Sequence, residues 1–205
     1  MTNVAVVYYS STGNVHKMAE AAAAEAEKAG AAVRLRRVAE LAPQSAIERN
    51  EAWAAHAAAT RDIPEAALED LDWADAILFG TPTRFGLPAA QLKQFLDTTG
   101  GLWFQGKLVN KVVSSFTSSN NTHAGQESTI LALNNTFYHW GAVIVPAGFA
   151  DPVQFEQANG NPYGASSVTD NVPGNVHPDN LASIAFQARR VVEIAKALGA
   201  GLSAA

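Results

Sequence analysis

The chain has 205 residues, a length that suits one domain with insertions and a core that needs no covalent staple. A net charge of −5 and a charged share of only 16%, against roughly 25% in a typical soluble domain, argue against a nucleic-acid binder. The absence of cysteine excludes disulfide scaffolds, thiolate catalysis and Cys-ligated zinc or iron–sulfur centres.

Val4 to Tyr9 is a short β-rich run ending in Ser10-Ser11-Thr12-Gly13-Asn14, which reads as a buried strand followed by a tight turn. Val15, Met18, Ala22 and Ala26 then recur at helical spacing, and Gly30 stops the helix. Ala32 to Val38 reads as the second strand, Asp75 to Phe79 as the third and Lys111 to Thr117 as the fourth. Ala142 to Val145, closed by Pro146, reads as the fifth. Helical patterns fill the gaps: Leu92, Phe95 and Leu96; Ile130, Leu133, Phe137 and Trp140; and a last one from Leu181 to Leu198. Near-continuous apolar strands alternating with amphipathic helices predict a parallel sheet covered on both faces. Residues 1–205 are expected to form one such domain. Insertions interrupt it at about 39–73, where an Ala-rich stretch predicts one or two short helices, and at about 147–180, rich in Gly, Pro and Asn. The run Val4 to Tyr9 is too short for a signal peptide, and no stretch approaches the roughly 18 apolar residues of a membrane span. The expected location is therefore cytoplasmic.

Chemistry is expected where strands end, because ligands of doubly wound sheets bind beyond the carboxyl ends of the strands, at the switch in strand order. In a 2-1-3-4-5 order, the loops after the first and third strands flank that switch. Ser10, Ser11, Thr12, Gly13, Asn14 and Val15 open the first helix, whose free amides and dipole favour an anion. Three hydroxyls there can surround a phosphate or simply cap the helix. Without a lysine, the turn suits a monophosphate better than a triphosphate with magnesium. After the third strand, Thr83, Arg84 and Phe85 offer a hydroxyl, a cation and a flat apolar face in a Gly/Pro loop. After the fourth, Ser118, Ser119, Asn120, Asn121, Thr122 and His123 can bond the edge of a heterocycle or solvent. The run Gly101 to Lys107 has the glycine and lysine spacing of a nucleotide P-loop, but Leu108 follows where magnesium needs Ser or Thr, and the run follows a helix. The five histidines show no metal-ligand spacing, and no metal is expected.

Gly80-Thr81-Pro82-Thr83-Arg84-Phe85-Gly86 and the later run Phe95-Leu96-Asp97, Thr99-Gly100-Gly101-Leu102-Trp103 resemble the WrbA family of flavodoxin-like NAD(P)H:quinone oxidoreductases. Gly125-Gln126-Glu127, His139, Val143 to Pro146 and Asn161 to Ala165 extend the resemblance to most of the chain. It implies a flavodoxin-like five-stranded sheet and tightly but non-covalently bound FMN. It also implies NADH or NADPH as electron donor, and quinones reduced by two electrons through ping-pong hydride transfer. The flavin would carry the chemistry, with no side chain as covalent catalyst. Carried onto this sequence, residues 10–15 would hold the phosphate. Thr83, Arg84, Phe85, residues 118–123 and His139 would border the flavin, and Trp103 would be the wall on which quinone stacks. A homotetramer completing its sites between subunits is the implied assembly. Thr12 stands where many members have Tyr, which removes an aromatic surface near the nicotinamide site. The alternative in another class is a flavodoxin-type electron carrier without a small-molecule substrate of its own.

Overall fold

The computed structural model describes residues 1–203. In chain order it runs β1 (Thr2–Tyr8), α1 (Asn14–Lys28), β2 (Ala31–Arg37), α2 (Gln44–Ile47), α3 (Glu51–Ala59), α4 (Leu68–Trp73), β3 (Ala76–Arg84), β4 (Leu87–Pro88), α5 (Ala90–Asp97), α6 (Gly100–Phe104), β5 (Val112–Ser119), α7 (Gln126–Trp140), β6 (Val143–Ile144), a 3-10 turn at Pro152–Phe155, β7 (Ser166–Val168) and α8 (Pro178–Ser203).

Successive side chains of a strand face opposite ways, so the unbroken apolar run of β1 feeds two cores. Val4, Val6 and Tyr8 pack with Met18, Ala22 and Ala26 of α1 and Ile184, Ala188 and Val191 of α8. Ala5, Val7 and Tyr9 pack with Leu92 and Leu96 of α5 and Leu133, Phe137 and Trp140 of α7. Each large apolar side chain fully buried this way contributes about 1.5–3 kcal/mol.

The parallel path is β2-β1-β3-β5-β6, the expected 2-1-3-4-5 order with β5 and β6 as its fourth and fifth strands. Two short strands were not anticipated. β4 folds back antiparallel on β3, and β7 pairs parallel with β5. The fifth position is thereby shared: β6 pairs Val112 and Val113, and β7 pairs Thr117, Ser118 and Ser119. Pro146 has no amide to continue the ladder, so the chain leaves the sheet there and returns at Ser166. The third strand also runs past its predicted end at Phe79 to Arg84. Gly80 reads as a breaker in sequence but sits where Phe116 of β5 crosses it; a Cβ at Gly80 would lie 2.4 Å from that ring.

The 39–73 connection holds three short helices rather than one or two, and two carboxylates anchor it. Glu40 accepts from Tyr9 Oη at 2.8 Å, Gln91 Nε2 at 2.7 Å, Trp53 Nε1 at 3.2 Å and the amides of Leu41 and Ala42. Burial pushes Glu40 up, but these hydrogen bonds outweigh it and hold the carboxyl below its ordinary value. Asp70, on α4, accepts from Arg34 and Arg36 of β2 and from the Ala67 amide. No helix among the described residues is long and apolar enough to cross a membrane.

Candidate active site

α1 begins at Gly13, whose φ of +94° a side chain would strain. No side chain caps the helix, and its first turn carries no acid. Ser10 Oγ accepts from the Gly13 amide at 3.1 Å and holds the turn closed. The amides of the following turn therefore face outward among Ser11, Thr12 and Asn14, an arrangement suited to an anion.

The hairpin of β3 and β4 brings the second loop to this turn. Phe85, at its tip, has a φ of +54°, an uncommon value for a bulky side chain, and its ring is fully exposed. Arg84 Nη2 donates to Ser11 Oγ at 3.3 Å, joining the two loops directly. The hairpin also seats on the start of α7. A Cβ at Gly125 would lie 2.6 Å from Gly86 Cα, and Thr83 and Thr129 share a hydrogen bond of 2.7 Å. The third loop leaves β5 alongside. The result is one cleft of about 480 Å³, lined by Ser11, Thr12, Asn14, Thr83, Arg84, Phe85, Ser118, Ser119, Asn120 and Asn121.

Most of the predicted site residues are thus brought together, and several are not. Val15 is core, as its spacing with Met18 and Ala22 already required. Ser10 lines a smaller cavity of about 120 Å³ behind the turn, with Tyr8, Arg37, Glu40, His56 and Arg61. Thr122 opens into a separate cavity with Gln126, Asn159 and Asn161, and His123 is exposed. His139 and Trp103 share a third groove of about 330 Å³ with Asn135, Thr136 and Gly100; Trp103 Nε1 donates to the His139 carbonyl at 2.9 Å. Within one chain, this groove has no lining residue in common with the phosphate-turn cleft.

Pro82 and Ala124, which lie within the candidate loops, also line the cleft, and one lining residue, Thr169, lies outside them. Thr169 follows β7, and its amide donates to the Ser119 carbonyl at 2.9 Å while its hydroxyl meets Asn120 Oδ1 at 3.1 Å. The strand before it, Ser166–Val168, is too short to carry a readable period, so the sequence offered no signal for it.

The donor set fits FMN better than a nucleoside triphosphate. Neutral hydroxyls and an uncapped helix terminus meet a phosphomonoester, and the adjoining cleft is flanked by Arg84, Phe85 and the amide-rich loop after β5. No cluster of three metal-ligating side chains occurs among the described residues.

Comparison with known proteins agrees. The family model described as NADPH-dependent FMN reductase matches residues 2–156. An NAD(P)H dehydrogenase (quinone) of Deinococcus radiodurans is 49% identical over 197 residues, covering 96% of this chain and 97% of that protein. Another, from Paracoccus denitrificans, is 44% identical over 207 residues, covering 98% and 97%. Among solved structures, a flavodoxin, WrbA-like protein from Agrobacterium tumefaciens superimposes with a TM-score of 0.69 at 26% identity, covering 96% of this chain and 98% of that one.

Proposed function

The chain belongs to the NADPH-dependent FMN reductase family, and from that premise we propose that it is an FMN-dependent NAD(P)H dehydrogenase (quinone). The observation that carries this reading is the convergence of three strand-end loops on the uncapped N-terminus of α1. FMN held there would supply two-electron chemistry between NAD(P)H and quinone, hydride equivalents coming from the nucleotide and the further proton of the hydroquinone from solvent. The chain's own residues bind and orient. Ser11 and Thr12 hydroxyls and the first amides of α1 hold the phosphate. Arg84 and the loop Ser118 to Asn121 border the ring system, and Phe85 covers part of one side.

His139 and Trp103 lie in a groove of their own. In the homotetramer we propose, that groove would complete a neighbouring subunit's site, with quinone stacking on Trp103. Trp103 is about half exposed, as a stacking surface between subunits requires. The Trp103→Ala variant should retain FMN affinity while kcat/KM for benzoquinone falls about tenfold or more, the loss expected when an aromatic platform is removed. Unchanged quinone kinetics in that variant would sink the assignment. The cellular compartment we propose is the cytoplasm, in keeping with a cysteine-free chain.

The reading is tested by saturating the protein with FMN, passing it through gel filtration and recording its absorbance. Under anaerobic conditions NADH or NADPH alone should bleach the retained flavin, and benzoquinone should restore it. Flavin that stays bound but resists both nucleotides would instead make the protein an electron carrier. Flavin lost on the column would remove the basis for either role.

A further inference from the structure

Asn14 opens α1 at the phosphate turn, yet its side chain is engaged elsewhere. It is 5% exposed. Its Nδ2 donates to the Val172 carbonyl at 3.2 Å and to the Asn175 carbonyl at 2.9 Å. Its Oδ1 accepts from Thr12 Oγ1 at 3.1 Å. A carboxamide has two N–H donors, so none is left for a phosphate. The reverse orientation would set Oδ1 against two carbonyl oxygens, so the network fixes which atom is nitrogen. What Asn14 still offers an anion is its main-chain amide, one of the unpaired amides of the first helical turn.

The two carbonyls belong to a strap, residues 169–175, that crosses from β7 to α1. Its near end lies over the turn: a Cβ at Gly13 would lie 3.8 Å from Gly174 Cα, and Lys17 Nζ donates to the Gly174 carbonyl at 2.6 Å. Its far end holds the loop after β5. The Thr169 and Asp170 amides donate to the Ser119 and Asn120 carbonyls at 2.9 and 3.1 Å, and Thr169 Oγ1 donates to Asn120 Oδ1 at 3.1 Å. Asn14, Ser119, Asn120 and Thr169 all line the one cleft. The strap therefore ties the phosphate end of that cleft to the loop on its other side.

These bonds carry the strap. Residues 170–173 are exposed, so apolar burial does not anchor them. Among the described hydrogen bonds, its remaining ones run within it, to the carbonyls of Thr169 and Val172. Asp170 and Asn171 stand at successive φ values of +50° and +61°, uncommon outside glycine and maintained only where neighbouring bonds impose them. On the side away from the cleft, Asp170 and Asn175 line the cavity of about 460 Å³ that Thr122 and Gln126 also face, which leaves the strap room to move.

We propose that Asn14 is a positioning residue whose side chain clasps this strap, so that the phosphate turn and the ring-bordering loop form one preorganised cleft. The inference rests on the FMN reading and gives the Asn14 side chain a part in placing the ring, through the strap, rather than in holding the phosphate. Without the clasp, the loop must be ordered at the moment of binding. That ordering lowers affinity for the flavin whether or not it carries a phosphate.

The test compares wild type, Asn14→Ala, Thr169→Val and the double variant, titrated with FMN and with riboflavin by quenching of flavin fluorescence. Asn14→Ala should weaken both flavins by the same factor, about three- to thirtyfold, as expected for one or two neutral hydrogen bonds. Thr169→Val removes the side-chain bond of the far anchor, so the double variant should lose less than the product of the two single losses. In protein without flavin, hydrogen exchange at the Thr169 and Asp170 amides should quicken about tenfold in Asn14→Ala. Lys17→Met, which lies outside the cleft, loosens the near end and should weaken riboflavin about two- to fourfold; it carries the test where Asn14→Ala does not fold. A loss confined to FMN would make the Asn14 side chain a phosphate ligand and overturn the proposal. Unchanged exchange at Thr169 and Asp170, unchanged riboflavin affinity in both near-end variants, or single losses that multiply in the double variant would overturn it too, with FMN binding left intact. Failure of wild type to bind either flavin would overturn the FMN reading and the proposal together.

Discussion

Replacing Ser11 and Thr12 together by alanine should weaken FMN binding by about 100-fold or more, while riboflavin binding changes little. A hydrogen bond to a charged group contributes about 1.5–3 kcal/mol, and two such losses amount to between two and four powers of ten in Kd. The fold should survive the change. Thr12 Oγ1 meets only Asn14 Oδ1, at 3.1 Å, and Ser11 Oγ meets only Arg84 Nη2, at 3.3 Å. Neither hydroxyl holds the turn closed; Ser10 does, through the Gly13 amide. The measurement is equilibrium titration of FMN and riboflavin against both proteins at one pH. An FMN Kd within threefold of wild type would place the phosphate elsewhere and undo the site as drawn.

The central sheet was readable because β1 and the first half of β3 are buried on both faces and are written as apolar runs, while β5, equally buried, shows itself by Val112, Val113 and Phe116 among small Ser and Thr residues. The shared fifth position was not readable. Val143–Ile144 and Ser166–Val168 are too short to carry a period of two, and their pairing to opposite ends of β5 is a long-range fact. The extension of β3 through Gly80 and Pro82 was hidden for a related reason. Local breaker signals are overruled when a neighbouring strand pairs with the segment, as Thr117 and Ser118 of β5 do with Thr81 and Pro82 beyond the end of the β1 ladder.

The cleft was legible as a meeting of loops, because strand order alone sends the ends of β1, β3 and β5 to one place. Which side chains of each loop face inward was less so. Val15 is turned into the core by the helical spacing that begins with it, and Thr122 and His123 turn away before Gly125 starts α7. Trp103 and His139 belong to α6 and α7, whose junction forms a groove that shares no lining residue with the cleft. His56, which lines the cavity behind the turn, gave no sequence signal at all. Its proximity to Gly13 depends on how the 39–73 connection is tied down, which is a matter of two carboxylates far apart in sequence from their partners.

Of those two, Asp70 should be the more costly to remove. Its side chain is 6% exposed and receives Arg34 Nη1 at 3.1 Å, Arg36 Nε at 3.0 Å and the Ala67 amide at 3.1 Å. Removing one partner of a buried ion pair costs about 3–5 kcal/mol, because the other charge is left buried without compensation. Here the two guanidinium groups are partly exposed, at 34% and 20%, and Arg34 also lies over the Trp73 ring at 4.1 Å. Water and the indole can take up part of the loss, so Asp70→Ala should cost about 2–3 kcal/mol. For a chain of this size that lowers the melting temperature by about 4–12 °C. The neighbouring pair Arg37–Glu65 spans the same strand and the same connection, yet its carboxylate is 53% exposed. Glu65→Ala should therefore cost less than about 1 kcal/mol. Thermal unfolding followed by far-ultraviolet circular dichroism compares the two directly. Equal melting temperatures for the two variants would mean that Asp70 is not the clasp that returns the connection to β2, leaving that work to Arg37 and its bonds to Ile63, Pro64 and Ala66.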